Sequence, residues 1–318
     1  MTEWLRRMML PVNQGSDFAR EVDFTFMGLY WLSVVLFLIV IGPMVYFTWR
    51  YRYKPGRVTP HQTHNTVMEV TWTVIPTVIC FLIFLWGVNG YMKFAVPPGE
   101  ALEIQVVGKQ WLWTFEYPDG TRSVNEMHVP VNKNIRLVMS SEDVLHDFYV
   151  PDMRIKRDIV PGRYTQEWFR ADNGAIGEHT STCAEYCGKG HSDMHAKVMV
   201  DTPADYDKWM ATGGTEWEDY KTHMQDWGKI QYDRKGCSTC HSVDGSASKG
   251  PTWKGIWGTM VKLNDGKSVL VDEAYVRESM MLPQAKIVAG FDPIMPTFQG
   301  LLRENEIQGL MAYIKSLK

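Results

Sequence analysis

The stretch Ser181–Val200 reads STCAEYCGKGHSDMHAKVMV, and its spacing organises the reading of the whole chain. Cys183, Cys187, His191 and Met194 place two thiols, an imidazole and a thioether within a dozen residues. Soft donors of this kind favour copper, zinc or iron–sulfur over hard cations. A mononuclear blue-copper loop needs one Cys, one His and a weak Met, so a second Cys is left over here. Two cysteines four residues apart are able to bridge a pair of copper ions.

Two other readings of the loop compete. A tetrahedral zinc site would use Cys183, Cys187, His191 and one further His, although Met is a poor zinc ligand. A Cys183–Cys187 disulfide would form outside the cytoplasm, but it would leave His191 and Met194 without a role.

The chain has 318 residues, more than one typical domain. Its hydrophobic content of 45% and mean hydropathy of -0.22 average two unlike parts, an apolar front and a charged remainder. A net charge of -3 is too small to argue for a nucleic-acid partner. Of the five cysteines, Cys183 pairs with Cys187 and Cys237 with Cys240 at ligand-like spacings. Cys80 lies in an apolar run, where a small buried hydrophobe is expected.

Residues 1–23 form a short, mixed-charge N-terminal segment without an apolar run long enough for a signal-peptide core. No charge occurs from Phe24 to Trp49, or again from Val70 to Met92. At about 1.5 Å per helical residue, each run spans a hydrocarbon core of about 30 Å. Pro43 and Pro76 are compatible with spanning. Between the runs stand Arg50, Arg52, Lys54 and Arg57, with no acid before Glu69. That basic hairpin loop belongs on the cytoplasmic side, which leaves both termini outside.

After Pro97-Pro98 the pattern changes to short strands: Leu102–Val107, Trp111–Tyr117, Met127–Val131 and Ile135–Met139, separated by turn residues. Such a run predicts an antiparallel β-sandwich or barrel. His146 follows on an aromatic-rich strand, upstream of the cysteine loop. Cupredoxin-like sites are assembled in this way, with one distant His and the remaining ligands from a single loop. Residues 203–227, with Gly213-Gly214, read as a tether with short polar helices. From residue 228 the pattern is helical to the end. Cys237-Ser-Thr-Cys240-His241 is the C-x-x-C-H signature of covalent haem attachment. Lys249-Gly250-Pro251 follows it, Met295 offers a second axial ligand, and Asn305–Leu317 predicts an amphipathic helix with Leu310, Tyr313 and Ile314 inward. Met280, Met281 and Met311 compete with Met295, with core packing as their ordinary role. This order resembles a class I cytochrome c over roughly the last ninety residues.

Taken together, the chain resembles cytochrome c oxidase subunit II with a C-terminally fused cytochrome c domain, as in caa3-type oxidases. The motifs that carry the resemblance are Glu69-Val-Thr-Trp72-Thr, Gly108-Lys-Gln110-Trp111-Leu-Trp113, His146-Asp-Phe-Tyr-Val-Pro, Ile155-Lys-Arg-Asp158 with Pro161-Gly162-Arg163, and the cysteine loop. The resemblance implies a membrane-anchored multidomain protein. It would have a transmembrane helical hairpin (24–93), a cupredoxin-like β-barrel (94–202), a linker (203–227) and an all-α cytochrome c domain (228–318). It further implies a binuclear copper centre, CuA, held by His146, Cys183, Cys187, His191, Met194 and the Glu185 carbonyl. The Glu185 carboxylate would serve a magnesium ion at the interface with the catalytic subunit. Haem c would be held by Cys237, Cys240, His241 and Met295. Trp111 matches the residue of electron entry and Glu69 a carboxylate near a proton-channel mouth; Trp113 is read equally well as strand core. Two positions depart from the family pattern: His195-Ala196 stand where Pro-Ile is common, and Arg154 where Gly is usual.

The function implied is electron entry into a terminal oxidase of the bacterial cell membrane. Electrons would pass from a cytochrome c pool through haem c to CuA and on to haem a in subunit I, where oxygen reduction and proton translocation occur. Subunit III, an upstream cytochrome or cytochrome-reducing complex and membrane lipid are the further partners implied. The alternatives are the copper subunit of a nitric oxide reductase and a membrane-anchored redox carrier without a catalytic partner. A quinol oxidase subunit would lack the copper ligands present here.

Overall fold

The computed structural model describes residues 2–11, 13–58, 63–212 and 222–318. Gly213-Gly214 and the centre of the linker lie outside the described residues. The chain divides into two compact units, Met1–Val12 with Phe18–Pro98, and Asn13–Asp17 with Gly99–Lys318.

The first unit is helical. A short α1 (Thr2–Met9) precedes the long helices α2 (Asp17–Arg50) and α3 (Thr66–Ala95). Each long helix overruns the charge-free segment that predicts it, because its ends use charged residues. Lys93 pairs with Glu21 at 2.7 Å and Arg6 with Asp23 at 3.1 Å. The Asn65 side chain caps α3 by accepting from Met68 N, and Glu69 Oε1 accepts from Asn65 N at 3.2 Å. Ser33, Thr48, Thr71, Thr73 and Thr77 donate to carbonyls four residues earlier, which satisfies their hydroxyls inside an apolar segment. Gly28 allows the Trp86 ring to come within 3.0 Å of where a side chain would begin. The most apolar window of each long helix is 0% buried, so its surface awaits lipid or a partner. Cys80 shares this exposure. The expectation that it is buried is therefore corrected: an apolar run on a spanning helix meets its apolar surroundings outside the chain.

The second unit begins with a sandwich of two five-stranded sheets. Its strands are β1 (Leu102–Lys109), β2 (Leu112–Glu116), β3 (Arg122–Val124), β4 (Glu126–Pro130), β5 (Asn134–Ser141), β6 (His146–Val150), β7 (Ile155–Ile159), β8 (Thr165–Arg170), β9 (Gly177–Cys183) and β10 (His195–Asp201). One sheet runs β3-β2-β1-β5-β8 and the other β4-β10-β9-β6-β7. Alternate residues face the shared core, among them Ile104 and Val106, Ile135 and Leu137, and Val198 and Val200. Most pairs are antiparallel as expected, but β1 with β5 and β4 with β10 are parallel. A period-two pattern reports which face is buried and carries no information about strand direction.

Arg154, where the resemblance leads to an expectation of Gly, adopts φ 55 in the left-handed region. Its guanidinium donates to Pro151 O at 2.7 Å and Asn13 O at 3.0 Å. Those bonds offset a strain of about 1–3 kcal/mol for a residue with a Cβ there.

Helix α4 (Pro203–Thr212) follows β10 and packs on the sandwich: Trp209 stacks on His128 at 4.3 Å and 17°, and its ring lies 5.0 Å from Tyr117. The start of the linker is thus held by aromatic contact. The C-terminal part contains α5 (Met224–Arg234), α6 (Glu273–Met281) and α7 (Glu304–Ser316), with a small hairpin of β11 (Met260–Lys262) and β12 (Ser268–Leu270). The hairpin departs from the all-helical expectation; it closes through Asn264-Asp265-Gly266, with Gly266 at φ 85. α5 and α7 cross where Gly228 meets Gly309, and Leu310, Tyr313 and Ile314 are buried as the amphipathic pattern predicts.

Candidate functional site

The cysteine loop leaves the end of β9 and returns along β10, its antiparallel neighbour, while β6 flanks β9 on the other side with Phe148 opposite Cys183. This topology carries His146 to the loop. Cys183 Sγ lies 4.0 Å from His146 Nδ1, 3.7 Å from Cys187 Sγ and 3.2 Å from the Glu185 carbonyl. Cys187 Sγ lies 3.6 Å from His191 Nδ1 and 3.8 Å from Met194 Sδ. His146, Cys183, Cys187 and Met194 are all buried. All the donors read from the sequence therefore converge on one pocket-sized volume around two sulfurs.

Orientation of His146 comes from a carboxylate. Asp143 Oδ1 lies 2.8 Å from His146 Nε2 and orients the ring so that Nδ1 faces Cys183. The Asp143 carboxyl also accepts from Gln110 N at 2.8 Å and Val144 N at 2.6 Å. Burial works against its charge, yet these hydrogen bonds hold it below the usual carboxylate range. Gly108 gives His146 room, since a Cβ there would sit 3.1 Å from both the imidazole and the Trp113 ring. Trp113 itself is fully buried and packs edge-on against Phe148 at 5.1 Å, as the core reading has it.

The two thiols are electrostatically unlike. Burial opposes ionisation of Cys183, but hydrogen bonding with His146 and the loop backbone outweighs it and pulls this thiol down. Burial and the neighbouring Cys183 charge push Cys187 up. Ionisation of either sulfur opposes ionisation of the other, an opposition that a bound cation would relieve.

Trp111 lies just before β2, against this loop. Its Nε1 donates to the Cys187 carbonyl at 3.1 Å, beside Gln110 Nε2 at 2.7 Å. The loop glycines make the approach feasible: a Cβ on Gly190 would fall 2.3 Å from the indole, and Gly188 has φ 113. Trp111 also helps line an apolar cavity in the helical domain.

That cavity is also lined by Cys237, Cys240, His241, Met280 and Met295. His241 Nδ1 donates to Pro251 O at 2.8 Å, which leaves Nε2 as the free ligand atom. Burial holds its imidazole below the usual pKa, so the ring stays neutral. Trp253 stacks on the ring at 5.3 Å, and Gly250 is required because a Cβ would lie 2.8 Å from the imidazole. Two cysteines, a neutral His with one oriented nitrogen, a thioether and apolar walls are the donor set a covalent haem needs. Of the four candidate methionines, Met295 and Met280 line the cavity; Met281 and Met311 are not part of its lining.

The Glu185 side chain is exposed, and so is His195, which pairs with Thr182 in the β9–β10 ladder.

A family model for the transmembrane domain of cytochrome c oxidase subunit II matches residues 10–89, one for its periplasmic domain matches 121–201, and one for cytochrome c matches 226–318. The chain is 30% identical over 302 residues to the cytochrome c oxidase subunit 2 of Alkalihalophilus pseudofirmus, covering 90% of this chain and 83% of that one. It belongs to the cytochrome c oxidase subunit II family. An alternative cytochrome c oxidase subunit 2 from Bradyrhizobium diazoefficiens is 31% identical over 221 residues, covering 59% of this chain and 79% of that relative. The crystal structure of the periplasmic domain of subunit II from Bradyrhizobium japonicum shares 33% identity, covers 37% of this chain and 96% of its own, and has a TM-score of 0.35. This subunit II is thus an electron-transfer subunit of a terminal oxidase, anchored by two helices, with a periplasmic domain and a fused cytochrome c domain. The periplasmic-domain match implies CuA and the cytochrome c match haem c.

Several supporting residues of subunit II escape a motif reading. Asp143, Gln110, Gly188 and Gly190 act through contacts made across the fold; the motifs contain Gln110 and both glycines without announcing what they touch. A buried His128 is another. Its Nδ1 and Nε2 donate to Asp201 at 2.6 Å and Glu126 at 2.9 Å, under Trp209. Burial alone would lower its pKa, but the two carboxylates outweigh burial and raise it. A raised folded pKa stabilises below the unfolded value of about 6.5, and this contribution disappears as pH rises through the folded value. His128→Gln is expected to cost roughly 3 kcal/mol at low pH. In thermal unfolding of the two proteins from pH 5.5 to 9, the gap should close with rising pH; a constant gap would refute the charged pair.

Proposed function

We propose that one-electron transfer in this subunit runs from the helical domain to the β-sandwich and leaves toward the catalytic subunit, with Trp111 as the bridge. The observation that carries this reading is the double contact of Trp111: its ring lines the cavity of Cys237, Cys240 and His241, and its Nε1 donates to Cys187 O at 3.1 Å. When bound, a haem held by Cys237, Cys240, His241 and Met295, and a copper pair held by His146, Cys183, Cys187, His191, Met194 and the Glu185 carbonyl, supply reversible one-electron chemistry. The protein buries His146, Cys183, Cys187 and Met194, fixes His146 through Asp143 and fixes His241 through Pro251. Met295 rather than Met280 is assigned to the haem because it stands on a loop, whereas Met280 belongs to α6.

The exposed Glu185 carboxylate is assigned to a magnesium ion on the face toward subunit I, and subunit III and an upstream cytochrome complete the set of partners. The copper and haem domains and both termini are placed on the periplasmic side of the inner membrane, with the loop of Arg50–Arg57 inside. Glu69, although its carboxylate accepts from Asn65 N at the start of α3, is assigned to proton uptake. Glu69→Gln is expected to slow turnover with copper reduction unchanged; unaltered turnover at every pH would leave it with the capping role alone.

Removal of the helical domain tests the main reading. The cut belongs after Thr212, so that α4 keeps Trp209 on His128. A tethered donor has an effective concentration of roughly millimolar order. The truncated oxidase should retain copper, but its oxygen consumption should depend on added soluble cytochrome and fall with salt. Electron acceptance from the native donor at the intact rate would overturn the proposal.

A further inference from the structure

The helical domain meets the sandwich across a face with an apolar centre and a ring of opposed charges. Leu112 and Val124 of the sandwich are buried together with Phe298 of the helical domain, and Met295 packs against that cluster. Three ion pairs surround it. Lys249 pairs with Asp193, Lys189 with Asp292 at 3.5 Å, and Arg234 with Glu126 at 3.5 Å. The first two are reciprocal: the copper loop contributes one cation, Lys189, and one anion, Asp193, and the helical domain answers with Asp292 and Lys249. A docking rotated to exchange the partners would set Lys against Lys and Asp against Asp, and such juxtapositions discriminate strongly between orientations.

Both pairs sit on ligand-bearing segments. Lys189 and Asp193 lie between Cys187 and Met194; Lys249 precedes the Gly250 against which His241 rests, and Asp292 is three residues before Met295. The Lys249 ammonium also stands 5.7 Å from the centre of the Trp111 ring, within cation–π reach. Lys249 therefore touches the copper loop and the bridging indole at once, from the wall of the haem cavity.

We infer that Lys249, through Asp193 and the face of Trp111, is the positioning residue that sets the haem domain in one orientation on the copper domain, with Lys189–Asp292 as the second point that fixes the rotation. The inference rests on the reading that the cavity holds haem and the loop copper. Isolated exposed pairs bind weakly, so their effect lies in orientation: the apolar centre supplies the adhesion, and the two crossed pairs select the rotation in which Trp111 faces the cavity.

The test uses the intact oxidase complex. A zero-length carbodiimide, which joins only amine and carboxyl groups in contact, should link the Lys249 peptide to the Asp193 peptide, whether or not metal is loaded. Lys249→Glu should abolish that link and slow electron transfer between haem and copper about tenfold, the lower range for lost electrostatic guidance. Lys249→Arg should retain the rate, and the exchange Lys249→Glu with Asp193→Lys should restore both rate and link. A Lys249→Glu protein with unchanged transfer, or a double exchange as slow as the single variant, would overturn the inference. Absence of haem or copper from the wild-type protein would instead overturn the reading beneath it, and the cross-link would still report whether the domains dock in this orientation.

Discussion

Cys187→Ser is expected to abolish the mixed-valence paramagnetic signal of a binuclear copper site and to lower oxygen consumption by on the order of a hundredfold. Cys187 Sγ is the hub of the donor set, at 3.7 Å from Cys183 Sγ, 3.6 Å from His191 Nδ1 and 3.8 Å from Met194 Sδ. A hydroxyl there is a hard, poorly ionised donor that does not bridge soft metals. One copper at most should remain, held by Cys183 and His146. The readouts are metal content and electron paramagnetic resonance of the purified complex, with Cys80→Ser as the control, since Cys80 is exposed on α3. A Cys187→Ser protein that keeps a two-copper signal, or a wild-type protein that binds a single zinc, would remove the basis of the site.

Gly228→Ala should damage the other domain by a different physical route. A Cβ at this position would lie 1.9 Å from the Gly309 carbonyl oxygen and 2.7 Å from Tyr313 Cβ. The obstacle is the backbone of α7, which cannot swing aside as a side chain does, so α5 and α7 must separate. Overpacking typically costs 1–3 kcal/mol, and backbone contact this close places the change at about 3 kcal/mol or more. A domain of roughly ninety residues has only about 5–15 kcal/mol to lose. Covalently bound haem in the variant should therefore fall severalfold while copper content stays at the wild-type level. Full haem incorporation at normal thermal stability would show that the helices do not cross at these glycines.

The legibility of this chain follows the range of the contacts involved. Four soft side-chain donors stand within one loop, two cysteines and a histidine fall within the five residues of the C-x-x-C-H motif, and charge-free runs mark the spanning helices; each is a local pattern with its own chemistry. His146 was within reach because an aromatic strand carries it upstream of the loop. Other features depend on partners far along the chain. Gln110 meets Cys187 across 77 residues, Gly228 has meaning only beside Gly309, and nothing in the sequence around His128 announces Asp201 or Trp209. The parallel pairing of β1 with β5 is equally silent, since burial alternates identically in either direction. Cys80 departs from its expected burial for a related reason: an apolar neighbourhood in sequence does not say whether protein or lipid supplies the cover.

Asp143 has a consequence beyond orienting one imidazole. Its carboxyl holds the backbone of Gln110 and the ring of His146 together, so the turn that presents Trp111 and the strand that presents a metal donor share one pin. A shift of either one would strain a hydrogen bond of the same carboxyl, so their spacing depends on Asp143. The cysteine loop is accordingly not a portable cassette. Moved to another sandwich without the Gln110 turn and Asp143, it would carry its sulfurs along but lose the fixed distance over which they exchange charge with the outside.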